Sequence, residues 1–138
     1  MREILFRGKG KDNKWHYGYY INAKTHWHNR GIHEDWIVRD FAQNGGRLTV
    51  LDRYAVDGET IGQYTGLKDR NGTKIFEGDI IKGGIEETGL SCLVCFEDGE
   101  FELRYYDGDK SSALYIINAI SGEVVGNIYD NPNLIEEE

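Results

Sequence analysis

The chain has 138 residues, 24 of them acidic and 16 basic, for a formal net charge of −8. That length suits one ordinary domain or two small subdomains, with about two-thirds of the unfolded surface available for burial. The acidic balance disfavours bulk binding to phosphate backbones, and no apolar run approaches the length of a membrane span.

Three Trp, nine Tyr and five Phe, with eighteen Gly and one Pro, predict a mainly β protein with little helix. Aromatic rings suit pleated surfaces and Gly suits turns. No apolar signal core follows Met1-Arg2-Glu3, so the expected location is the cytoplasm, with no membrane partner. Glu3 to Arg7 reads as a short strand, Gly8 to Asn13 as a turn, and Trp15 to Ile21 as the returning strand of an antiparallel hairpin. Alternation puts Trp15, Tyr17 and Tyr19 on one face and His16 and Tyr20 on the other, with one face packed on a core. Arg2, Arg7, Lys9, Lys11 and Lys14 outnumber Glu3 and Asp12 by three. Beside those rings, the basic strip has the chemistry of a single-stranded nucleic-acid site, although a solvated turn is the plainer reading. An edge of this hairpin is also a place where two copies of the chain could pair.

The segment from Asn22 to Gly46 carries His26, His28 and His33, three imidazoles that could ligate zinc or copper with an open fourth position. No carboxylate stands at a matching ligand spacing, so these are weak metal candidates, and edge-strand histidines are the default. No cofactor is expected. Arg39 to Gly46 predicts one short helical turn ended by Asn44-Gly45-Gly46; Arg47 to Leu51 is a strand, and Tyr54 to Val56 a second. Asp57-Gly58 is a turn.

Two turns define the stretch from Thr60 to Lys82. Asn71-Gly72 suits a turn that needs positive φ, and Glu77-Gly78-Asp79 makes another before Ile80-Ile81. A calcium loop starting at Asp69 fails, because Thr73 and Lys74 stand where a ligand and a Gly are required. Further strands follow over Leu90 to Phe96 and Glu100 to Tyr106, joined at Asp98-Gly99, with Phe101, Leu103 and Tyr105 buried and Glu102, Arg104 and Tyr106 wet. Ser112 to Ile120 is apolar on both faces and reads as a central strand; Glu123 to Ile128 closes the set before Asn131-Pro132. Five short strands with tight turns suit a small SH3-like barrel. Cys92 and Cys95 form a C-x-x-C within a strand, which turns them to opposite faces, against both a disulfide and a shared metal.

Ile61-Gly62-Gln63-Tyr64-Thr65-Gly66-Leu67-Lys68-Asp69, Asn71-Gly72 and Ile75 to Ile81 together resemble the signature of the YopX family of phage and prophage proteins. Phe6-Arg7-Gly8-Lys9 with Trp15 and Gly18, and Val124 to Pro132 with Leu134, match it as well, in order and spacing. The resemblance implies a single domain over 1–138. Within it lie an N-terminal β subdomain, 1–57, with a variable insertion at 23–44, and an SH3-like barrel subdomain, 58–138. It further implies a gene carried by a mobile element of a bacterial host. It transfers no catalytic residue.

The residues themselves show no catalytic set: no G-x-S-x-G elbow, no phosphate loop and no carboxylate pair placed across a cleft. The leading reading is a non-catalytic module that binds a host or phage protein, its aromatic side chains anchoring and its acidic groups steering a basic partner. A single-stranded nucleic-acid-binding β-barrel and a His-cluster metalloenzyme are the alternatives. Gln63, Tyr64, Thr65 and Tyr129 are the candidate partner-binding residues, being family-like without a turn role; core packing or internal hydrogen bonding is the competing explanation for them.

Overall fold

The structure is a computed structural model and describes residues 3–22, 34–83, 91–107 and 110–136. Antiparallel strands dominate it, in two compact units, Met1–Gln63 and Tyr64–Glu138. His26, His28 and His33 lie outside the described residues.

In the first unit, β1 (Phe6–Lys9), β2 (Trp15–Asn22), β3 (Asp35–Asn44) and β4 (Arg47–Ala55) follow one another in the order β4-β3-β2-β1. The β1–β2 turn is closed at Asn13, which adopts φ +66° while its N–H donates to Gly10 O at 2.9 Å. The Asp12 carboxylate accepts from Lys14 N at 3.1 Å and from His16 Nε2 at 2.9 Å. Lys14 N–H chiefly, opposed by burial and then aided by His16, holds Asp12 below the usual carboxylate range. His16 is buried, and its ring stacks on Tyr54 with centroids 3.9 Å apart. The inward face of the first hairpin is thus the His16 side, while Tyr17 and Tyr19 point outward. Ile37, Val38 and Val56 supply the apolar core.

The region expected to hold a helical turn, Arg39 to Gly46, is instead strand and turn: β3 runs to Asn44 and reverses at Gly45-Gly46, both at positive φ. The two short strands expected over Arg47–Leu51 and Tyr54–Val56 are one strand, β4. Pairing decides this: Phe41 lies opposite Val50 and Gln43 opposite Leu48, giving the backbone of Ala42 and Gln43 a ladder that local helix propensity cannot supply. Beyond β4, Gly58–Thr60 forms a 3₁₀ turn capped by Asp57, whose carboxylate accepts from Glu59 N at 3.0 Å. Thr60 Oγ1 donates to Asp57 O at 2.6 Å and accepts from Lys9 N at 2.8 Å, tying this turn to β1.

β5 (Gly62–Lys68) begins in the first unit, where Gly62 and Gln63 lie opposite Arg7 and Phe6, and continues in the second, pairing with β6 (Lys74–Phe76). The second unit adds β7 (Asp79–Lys82), β8 (Ser91–Glu97), β9 (Glu100–Asp107), β10 (Lys110–Tyr115), a 3₁₀ helix over Ile116–Ser121, β11 (Glu123–Asn127) and α1 (Asn133–Glu136). Their sheet has the order β10-β9-β8-β7-β11, and among the described residues no ladder joins β10 to β11. Ser112 to Ile120 is therefore not a central strand. Its first part lies at the sheet edge, and Ile116 leaves the ladder for the 3₁₀ helix, which buries Ala119. Apolar residues on both faces marked a change of conformation rather than a strand buried on both sides.

One sheet face packs Ile81, Cys92, Val94 and Leu103 around Ile75 and Ala119. The expected turns hold this unit together. Gly72 (φ +84°) closes β5–β6, and Asp98 (φ 52°) with Gly99 (φ 85°) closes β8–β9. At Phe76–Asp79, buried Asp79 accepts from Phe76 N at 2.7 Å. Asn127 Oδ1 accepts from Tyr129 N and Asp130 N, and Asn131 Oδ1 from Asn127 N at 3.2 Å, so the segment after β11 is folded by its own amides. These bonds give a physical reason for Asn127 and Asn131 within Val124 to Pro132.

Cys92 is fully buried, Cys95 is half-buried, and both are free thiols. Burial pushes the Cys92 thiol up to about 11. Burial also raises Cys95, with Arg104 opposing it. At pH 8 the Cys92 thiolate fraction is about one in a thousand by the titration relation. Alkylation with iodoacetamide is expected to leave native Cys92 unmodified over a time in which the urea-unfolded chain reacts fully, as read by mass spectrometry.

Candidate functional site

On the sheet face opposite the apolar core, β9 and β10 bring together Glu100, Glu102, Arg104 and Tyr115. The register places Tyr115 opposite Glu102 and Ala113 opposite Arg104. Alternation along β9 turns Phe101 and Leu103 inward and these residues outward, the expected division between a buried and a wet face. Glu100, Glu102, Ala113, Leu114 and Tyr115 line a shallow cavity of about 340 Å³.

Arg104 is the hub of the charge pattern. Its Nη2 donates to Glu102 Oε1 at 3.1 Å and reaches Glu97 Oε2 at 3.5 Å, and its Nη1 donates to Ser111 Oγ at 3.3 Å. Two carboxylates therefore contact one guanidinium, and with Glu100 on the same side the β8–β9–β10 face is net negative. Tyr115 at its rim is 77% exposed, more than any other large apolar or aromatic side chain described. β10 pairs only with β9 among the described residues, so its outer edge is a free margin of this sheet. What the arrangement can do chemically is accept cationic groups and an added strand.

The residues chosen from sequence fall elsewhere. Gln63 is half-buried opposite Phe6 at the start of β5. Tyr64 is only 6% exposed, its ring 5.6 Å from that of Phe76 and 5.5 Å from Lys74 Nζ. Thr65 Oγ1 donates to Ile75 O at 2.8 Å and accepts from Leu67 N at 3.2 Å, fastening β5 to β6. Tyr64 thus packs and Thr65 hydrogen-bonds within their own unit. Tyr129 is exposed, in the turn that Asn127 caps. Sequence reasoning missed Glu100 and Tyr115. The alternation of Glu100, Glu102 and Arg104 was the signal available for the first, whereas the central-strand reading of Ser112 to Ile120 hid the second.

Among the described residues no group of three or more His, Cys, Asp or Glu side chains is placed to hold a metal ion. No helix among them is long and apolar enough to cross a membrane.

Fold and surface together define a small, mainly β protein of two antiparallel sheets with little helix. The model of a family described as YopX protein matches residues 5–136, and the chain belongs to that family. The crystal structure of protein EF1440 from Enterococcus faecalis is similar over 98% of this chain and 99% of its own, at 24% identity and a TM-score of 0.60, which supports the fold. The crystal structure of protein yopX from Bacillus subtilis aligns over 97% and 98%, at 20% identity and a TM-score of 0.48. Comparison with curated proteins gives no match.

Proposed function

We propose that the chain is a non-catalytic binding module of prophage origin, acting in the bacterial cytoplasm on a host or phage protein through the β9–β10 face. The observation that carries this reading is the acidic cavity at a free strand edge, rimmed by the exposed Tyr115. An extended basic segment of the partner would add to β10 by main-chain hydrogen bonds, with Lys or Arg side chains steered by Glu97, Glu100 and Glu102. Tyr115 supplies the aromatic anchor that dominates such interfaces.

An SH3-like barrel is the fold proposed for the second unit. The order β10-β9-β8-β7-β11 puts the last strand beside the first, with a 3₁₀ helix just before that last strand, as in SH3-like barrels.

The test is affinity capture from nuclease-treated bacterial lysate, comparing the wild-type chain with Tyr115→Ala. A stoichiometric protein retained by the wild type is expected to bind about 30-fold more weakly to the variant, the effect of losing an aromatic hot spot. Retention of nuclease-sensitive material alone, or of the same protein equally by both chains, overturns the reading.

A further inference from the structure

The molecule's charge is sharply divided. Met1–Gln63 carries 10 basic against 8 acidic residues, and Tyr64–Glu138 carries 6 against 16, so the whole excess of acid belongs to the second unit. The first unit, slightly positive, displays several of its aromatic side chains on its outward sheet face. Register puts Tyr17 and Tyr19 of β2 on the same face as Trp36 of β3 and Arg53 of β4. Phe41 joins them, its ring edge-on to Tyr19 with centroids 5.4 Å apart. Tyr17, Tyr19, Phe41 and Arg53 are all exposed.

We propose that this face is a platform for single-stranded nucleic acid. Arg53, which is exposed, lies over the Trp36 ring at 4.5 Å, and the buried Arg7 lies over Trp15 at 4.7 Å, so an exposed guanidinium is already layered on an aromatic plane as in sites that stack bases and pair phosphates. Same-face residues along a strand stand about 6.8 Å apart. That is about twice the 3.4 Å rise of stacked bases, which spaces Tyr17 and Tyr19 for one base each on an extended strand. Carboxylates are turned away. Because Phe41 faces Tyr19, the adjacent Asp40 and its register partner Asp52 face the other side. Asp35 lies on that other side too, accepting from Tyr20 Oη at 2.7 Å and Asn22 Nδ2 at 2.9 Å. No described residue of β1 to β4 presents a carboxylate to the ring-bearing face. A purely apolar protein contact would not need cations there, and a basic protein partner would be repelled by them. The binding surface is distinct from the acidic cavity, and neither proposal requires the other.

The experiment uses the full chain and a fluorescein-labelled thymidine 12-mer, followed by anisotropy. Saturable binding is expected at 50 mM salt, with affinity about 20-fold lower at 200 mM if three phosphates are neutralised. Tyr19→Ala is expected to weaken binding at least about 5-fold, and Tyr19→Phe to restore it, since stacking needs only the ring. Arg53→Ala should weaken binding and reduce the salt slope by about 0.7. Melting curves establish that each variant is folded. Absence of binding at 50 mM, equal binding by wild type, Tyr19→Ala and Arg53→Ala, or preference for duplex overturns the proposal. So does a change from dimer to monomer in Tyr19→Ala with oligonucleotide binding untouched, which would make the face an interface between two copies. A nuclease-resistant protein partner lost on Tyr115→Ala would stand whichever way this assay falls.

Discussion

Asp69→Ala is expected to lower the stability of the protein by about 3 kcal/mol or more, which for a chain of this size moves the thermal midpoint by about 10 °C. The Asp69 carboxylate is buried and serves three backbone donors. Oδ1 accepts from Asn71 N at 2.8 Å and Thr73 N at 2.9 Å, and Oδ2 accepts from Val124 N at 2.8 Å. One side chain therefore closes the β5–β6 turn and holds the start of β11, 55 residues away in sequence. Alanine leaves all three N–H groups without their acceptor. Burial by itself would raise the carboxyl, but the three N–H groups and the charge of Arg70 outweigh it and hold Asp69 below the usual carboxylate range. The sign of the pH dependence follows. A depressed carboxyl contributes stability that is fully present above its unfolded value of about 3.9 and is lost as pH falls through the lower, folded value. Circular-dichroism melts from pH 6 to pH 2 should show wild-type stability declining below about pH 4. In Asp69→Asn that decline should be shallower, from a lower plateau. An unchanged midpoint in Asp69→Ala at pH 7 would show that the three donors find other acceptors.

Gly18→Ala is expected to cost about 3 kcal/mol, at the upper end of the overpacking range. The reason is space rather than dihedral freedom. A Cβ on Gly18 would fall inside contact distance of the Val38 carbonyl oxygen, with Ile37 close behind. Val38 and Ile37 are buried, so the obstacle is backbone in the core of the first unit, which cannot swing aside as a surface side chain would. The substitution should separate β2 from β3 where Tyr19 lies opposite Val38. Near-ultraviolet circular dichroism from the first unit's Trp and Tyr residues, with the melting midpoint, reads the effect. A midpoint within 1 °C of wild type, where about 3 kcal/mol corresponds to roughly 10 °C, would contradict it.

The parts of the fold legible in the sequence were those encoded by short-range chemistry. Asn71-Gly72 and Asp98-Gly99 announced hairpins because few residues tolerate the φ values those turns demand, and the alternation over Phe101 to Tyr106 announced a one-sided strand. What stayed hidden depended on partners far along the chain. Ala42 and Gln43 have no strand preference, and only pairing with Leu48 and Thr49 makes them extended. The division between units falls inside β5, where no composition change marks it. The same limit applied to the sites. The faces carried by Tyr17 and Tyr19 and by Glu102 and Arg104 followed from period-two alternation. Phe41 was missed because its segment was read as helical, and Tyr115 because its segment was read as central. Gly18, although noticed as family-like, gave no hint of the Val38 carbonyl against it, since close approach between strands leaves no local trace.

The hairpin of β3 and β4 is unequally supported along its length. Asp35 to Val38 lie between β2 and β4, whereas after the register shifts at Asp40 and Phe41 no ladder among the described residues joins the two strands to a third. Two strands alone are marginal in water. The outer arm, Phe41 to Val50, is therefore expected to open separately, its amides exchanging with solvent at a lower free energy than those of Ile37 and Val38. Phe41 belongs to that arm while Tyr19 and Trp36 do not. One ring of the proposed platform is thus carried on the arm expected to open first.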